Sequence, residues 1–289
     1  MTTNSKFLHL VNSNRDKYIS YLNNNGFQDF ANLVKEECTE AKKKFDALII
    51  QSSDDDILKN ISNPFYIGMG NPDSNILIFG QELALDSNKN NPNSVLGFFQ
   101  EQLYHHSLLL NPPSSDFDFN PYKANDYRRI KMHSHTWGIY SKWIAAFNDG
   151  DSTYYKKYLI PDTRKDKFEN YCFYTELYHK PSPRHEQSET SNERMSLFET
   201  QIFRDFFSTF DIILIGCKSF YRDYENKVSS YFGIDKSQIV STEEFNYSNK
   251  KGVLIKTKYN QKIAIFNYQF SSAWSPIYLN VVSSKMKNL

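Results

Sequence analysis

The stretch NILIFG, residues 75–80, decides the fold. It is apolar from Ile76 to Phe79 and stops at a glycine, the pattern of a short strand covered on both faces. Three further runs have the same character: NYCFYTELY at 170–178, DIILIG at 211–216 and KIAIFNY at 262–268. Helical patterns lie between them. HTWGIYSKWIAAF fills 135–147, TSNERMSLFETQIFRDFF fills 190–207, and CKSFYRDYENKVSSYF fills 217–232. The second of these opens on a capping-box pattern, Thr190 with Glu193. A last helix starts at Pro276, a residue suited to the first helical position. Strands alternating with helices predict an α/β chain: a three-layer sandwich whose central, mostly parallel four-stranded sheet is flanked by helices. In such sheets ligands bind outside the carboxyl ends of the strands. That rule brings residues 80–86, 175–184 and 268–276 to one edge.

Outward from this sheet the chain is less patterned. Two helices are expected near 5–24 and 27–50. In the second, Phe30, Leu33, Val34, Cys38, Ala41 and Phe45 recur at helical spacing and form a packing face. Residues 1–62 therefore read as an N-terminal helical extension, and 63–289 as the main domain. A long polar insertion runs over 111–134. Lys and Arg total 34 against 33 Asp and Glu, so no global field draws the chain to nucleic acid. Any such contact must come from local patches. Three widely spaced cysteines suit reduced thiols in a cytoplasm better than a disulfide framework. The polar N-terminus does not read as a signal peptide. No apolar run approaches the ~20 residues that span a bilayer.

The stretch GMGNPDSNILIFGQELALD, residues 68–86, resembles the first motif of the uracil-DNA glycosylase superfamily. It is most similar to branches that write a glycine-asparagine-proline turn, a short strand and a GEAPG-type loop. FYTELYHKPSPRH at 173–185, DIILIGCKSF at 211–220 and FNYQFSSAW at 266–274 resemble the later motifs, in the same order. The resemblance covers about 64–289. It implies a monomeric enzyme that flips a nucleotide out of DNA and cuts the bond between base and sugar, without a cofactor.

That bond breaks with positive charge growing on the sugar and negative charge on the base. A carboxylate near the anomeric carbon stabilises the cation and orients water, as in glycoside hydrolysis. Glu82 aligns with such a carboxylate, Gln81 with the glutamate of the GEAPG loop, and Asp86 is a second candidate. The plain alternative for Glu82 is a solvated loop residue. Phe79 counts with the base-binding residues. Glu176 stands where the family has an asparagine that reads uracil. An ionised glutamate only accepts hydrogen bonds, which suits the amino group of a cytosine-type base. The alternative is that Glu176 pairs with Arg184. Gln269 replaces a histidine that stabilises the leaving base, so it donates a hydrogen bond but carries no charge. Ser271 and Ser272 align with phosphate contacts, and Phe270 and Trp274 with a wedge that fills the vacated stack. For the two aromatics a place in the core is the other reading. Arg128 and Arg184, in short basic loops, would touch phosphates.

His105, His106, His133 and His135 lack a third ligand at metal-site spacing, so no metal is expected. The iron–sulfur branch of the family the chain resembles uses four cysteines, and with three unpaired ones no cluster is expected. The expected function is excision of a modified, cytosine-derived base, such as glucosylated hydroxymethylcytosine of phage DNA. Two alternatives remain: a uracil-DNA repair enzyme, and a DNA-binding homologue without catalysis.

Overall fold

Two helices open the chain, α1 (Thr3–Asn24) and α2 (Gln28–Glu36). The computed structural model describes residues 3–36, 44, 47, 62–80, 136–159, 168–179, 191–247, 250–270 and 274–289. The chain divides into two units, one of 1–67, 82–122 and 176–197, the other of 68–81, 123–175 and 198–289.

In the first unit Phe7, Leu10, Val11, Asn14, Tyr18 and Leu22 recur at three- and four-residue steps along α1, and all are buried. Phe30, Ala31 and Val34 form the matching buried face of α2. Of the packing face expected on the second helix, Cys38, Ala41 and Phe45 lie outside the described residues. The 62–67 segment is held by polar groups. Asn14 Nδ2 donates to the Phe65 carbonyl at 3.2 Å, and Asn63 Oδ1 accepts from the Phe65 amide at 2.9 Å.

The second unit holds the sheet. Its strands are β1 (Met69–Gly70), β2 (Ile76–Gly80), β3 (Phe173–Glu176), β4 (Ile212–Gly216), β5 (Ile239–Tyr247), β6 (Lys250–Thr257) and β7 (Lys262–Phe266). The unit boundary falls just before Glu176, the last residue of β3. The order across the sheet is β1-β3-β2-β4-β7-β6-β5. β2, β4 and β7 run parallel, whereas β6 is antiparallel to β7 and to β5, and β1 to β3. The four expected strands are all present, and the class is α/β. The sheet itself is mixed, with seven strands among the described residues rather than four. β5 went unread because most of it is exposed, so it shows no apolar alternation.

The remaining helices are α3 (Thr136–Asn148), α4 (Lys156–Leu159), α5 (Asn192–Phe198), α6 (Gln201–Phe207), α7 (Lys218–Arg222), α8 (Tyr224–Phe232) and α9 (Pro276–Asn288). The stretch expected as one helix over 190–207 is two, because Thr200 takes an extended conformation between them. Thr190 lies outside the described residues, and the first turn of α5 is capped by Ser191, whose Oγ accepts from the Arg194 amide at 3.2 Å. Likewise 217–232 breaks at Asp223, whose ψ of 41° leaves the helical region. The last helix begins as expected, with Ser275 capping it and Pro276 in its first turn.

Register separates the two faces of the sheet. Phe79 pairs with Ile215 and Ile215 with Ile265, so Phe266, one residue on, points to the opposite side. The Phe79 ring lies 5.8 Å from Phe207 of α6, 5.7 Å from Phe232 of α8 and 5.9 Å from Phe198. The Phe266 ring lies 5.5 Å from Trp143 of α3 and 6.3 Å from Tyr278 of α9. Helices thus cover both faces.

Candidate functional site

Because β2, β4 and β7 are parallel and in register, they end together, at Gly80, Gly216 and Phe266. The chain leaving β7 stays close to the sheet. The Asn267 amide donates to the Lys251 carbonyl at 3.1 Å, and Asn267 Oδ1 accepts from the Lys251 amide at 3.0 Å. A side chain thereby extends the ladder past the last regular pair, and the following residues turn across the end of β4. There Phe270 lies against Gly216. A Cβ on Gly216 would stand 2.6 Å from the Phe270 ring, so only glycine admits this contact.

Phe270 and Trp274 are 2% and 4% exposed. Their rings stack at 5.6 Å and 28°. Tyr140 meets Phe270 edge-on at 5.5 Å, and Trp143 meets Trp274 at 5.9 Å. Trp274 Nε1 donates to the Gln269 carbonyl at 3.0 Å, which closes the loop on itself. Both aromatics therefore belong to the core in this structure, the second of the two roles weighed for them. Gln269 is half-buried between them and Tyr268 in sequence. Phe79 is fully buried among three phenylalanine rings.

Glu176 is half-buried at the end of β3. Its carbonyl accepts from Arg194 Nη2 at 2.6 Å. Arg194 is completely buried, and its Nη1 donates to the carbonyls of Pro64, at 3.1 Å, and Tyr66. One guanidinium thus ties the 62–67 segment to Glu176, the last residue of β3, within the first unit. A planar fork of donors is suited to several carbonyls at once. Ser62 Oγ adds a hydrogen bond to the His179 carbonyl. Leu177, Tyr178 and His179 are buried.

Gln81, Glu82, Asp86, Arg128, Arg184, Ser271 and Ser272 lie outside the described residues, as do His105, His106, His133 and His135. The described members of the expected site are Phe79, Glu176, Gln269, Phe270 and Trp274. Gln269, Phe270 and Trp274 are brought together in one loop. No group of three His, Cys, Asp or Glu side chains among the described residues stands ready to hold a metal ion. None of the described helices is long and apolar enough to cross a membrane.

Two residues escaped the sequence reading. Arg194 had a signal, since it shares a helical stripe with Leu197 and Phe198, and an arginine on an apolar stripe needs buried acceptors. Lys250 had none. Its ammonium lies over the rings of Trp274 at 4.6 Å, Tyr268 at 5.4 Å and Tyr278 at 6.0 Å. Burial lowers its pKa below the ordinary lysine value. Cys217, next to Gly216, is buried with its Sγ 3.1 Å from Ser219 Oγ, and burial pushes its thiol pKa up, so it is a poor nucleophile.

Comparison of the chain with protein-family models, with curated proteins and with solved structures finds no match.

Proposed function

We propose that the protein is a DNA glycosylase of uracil-DNA glycosylase-like architecture that releases a modified, cytosine-derived base and leaves an abasic site. The supporting observation is the shared carboxyl edge of β2, β4 and β7. Two of the four segments that carry the resemblance include β2 and β4, a third starts at Phe266, the last residue of β7, and that edge is where open α/β sheets bind ligands. The fourth segment includes β3 and its last residue, Glu176. On this reading the architecture is the family's three-layer sandwich, enlarged on one side of the sheet by β5 and β6.

The chemistry assigns each residue a task. The C1′–N bond breaks and its electron pair leaves with the base. Glu82 stabilises the sugar cation and orients the water that adds to C1′. Glu176 accepts from the exocyclic amino group, which selects cytosine-type bases over uracil. Gln269 donates to the departing base. Arg128, Arg184, Ser271 and Ser272 hold phosphates, and the enzyme works in the cytoplasm as a monomer on DNA, with no cofactor. Glucosylated hydroxymethylcytosine of phage DNA is the substrate this selection favours. The experiment is single-turnover release of that base by the wild type and by Glu82→Gln. The reading expects loss of release in the variant, and wild-type rates in it would remove Glu82 from the mechanism.

One observation favours a second reading. Phe270 and Trp274 are packed in the core, where a wedge residue must be able to enter the duplex. A DNA-binding homologue without catalysis has no need of the wedge, and it binds DNA but yields no abasic product on any base.

A further inference from the structure

Lys250 opens β6 two residues before Gly252, which pairs with Phe266 at the end of β7. It therefore stands just past the carboxyl end of β7, level with the segment that leaves this strand. Two of the rings around its ammonium are fixed in place, since Trp274 is 4% and Tyr278 1% exposed. The third, Tyr268, is half-buried. Partial burial of the amine shifts it toward the neutral, nucleophilic form. The rings pull the other way, because a π-face favours a cation. That same preference extends to an iminium ion, which keeps the positive charge on the same nitrogen. The site thus joins a partly desolvated amine to rings that stabilise a cationic product. Lys142, whose pKa burial also lowers, faces the ring of Tyr155 at 5.0 Å and serves as the internal comparison.

We propose that Lys250 is an amine nucleophile that captures an aldehyde as an imine at the carboxyl edge of β7. Resting on the glycosylase reading, the aldehyde is the ring-opened C1′ of the abasic deoxyribose that base release leaves behind. The neutral amine adds to the carbonyl carbon and a C–N bond forms. The carbonyl oxygen leaves as water, taking one hydrogen from the amine and one proton from solution, and the nitrogen ends as an iminium cation. The enzyme thereby retains its own product until hydrolysis reverses the bond.

The test uses the full chain, sodium cyanoborohydride and two aldehydes: butyraldehyde, and an oligonucleotide carrying a preformed abasic site. Because the abasic site is preformed, the result does not depend on base release. Peptide mapping by mass spectrometry on the wild type locates the reduced adduct. The expected result is capture of both aldehydes at Lys250, with butyraldehyde labelling faster there than at Lys236. Lys236 is a fitting reference, because its hydrogen bond to Glu225 raises its pKa. Lys250→Arg keeps a cation under the rings and abolishes capture of the abasic DNA, while Lys251→Arg retains it. Butyraldehyde capture without DNA capture overturns the abasic substrate and leaves the imine site. Equal labelling of Lys250 and Lys236, or preferential labelling of Lys142, overturns the proposal. Failure of base release with capture intact would instead strike the glycosylase reading.

Discussion

Replacing Phe270 with alanine separates a wedge from a core residue. Phe270 is 2% exposed and packed against Trp274, Tyr140, Phe266 and the bare Cα of Gly216. A buried phenylalanine removes about 150–250 Å² from water, which at about 25 cal/mol per Å² gives roughly 4–6 kcal/mol as an upper bound. The hole left behind adds a cost, while a compact unfolded chain and partial collapse subtract from it. The expected loss for Phe270→Ala is about 3–5 kcal/mol. Urea unfolding followed by tryptophan fluorescence measures it, and Trp274, stacked on the mutated ring, reports directly on the site. A residue poised to enter DNA would instead be cheap to remove from the folded protein. A loss below about 1 kcal/mol would refute the packing argument and restore the wedge role.

Removing Arg194 takes a donor from three buried or half-buried carbonyls. Arg194→Met should cost about 3 kcal/mol or more in urea unfolding, and Arg194→Lys should recover little of it, because one ammonium cannot reproduce the fork. Alkaline pH should also weaken the fold. Tyr18 and Tyr278 have their pKa values raised above the ordinary 10.0, first by burial and then by the charges of Tyr21 and Tyr268 respectively. The folded state favours their protonated forms, so their contribution is complete below pH 10 and declines above it, by up to about 1.4 kcal/mol per pH unit for each. Urea midpoints at about pH 8 and about pH 11 test this, and equal midpoints would contradict it.

The parallel strands were legible because each is buried on both faces. Ile76–Phe79, Ile213–Ile215 and Ile263–Phe266 are continuous apolar runs, and nothing polar interrupts the signal. β5 was illegible for the converse reason, since it lies at the end of the sheet order with most of its residues in solvent. Helix breaks at Thr200 and Asp223 leave no mark in the periodicity, because apolar spacing runs on across both. At the candidate site the sequence named the loop after β7 but not its architecture. That Phe270 turns inward follows from the missing side chain at Gly216, a contact between residues 54 positions apart in sequence. Lys250 depends on a register between β6 and β7 that no local pattern announces. Glu176 was singled out for its side chain, while the structure shows its backbone held by a buried arginine.

The central claim is that this fold excises a modified cytosine. Its most direct measurement is a panel of otherwise identical DNA carrying uracil, cytosine, hydroxymethylcytosine or glucosylated hydroxymethylcytosine, incubated with the protein and assayed for alkali-labile abasic sites. The account predicts strand breaks from the modified cytosines alone. Breaks from uracil DNA would contradict the role given to Glu176, and no breaks from any member would contradict the glycosylase assignment itself.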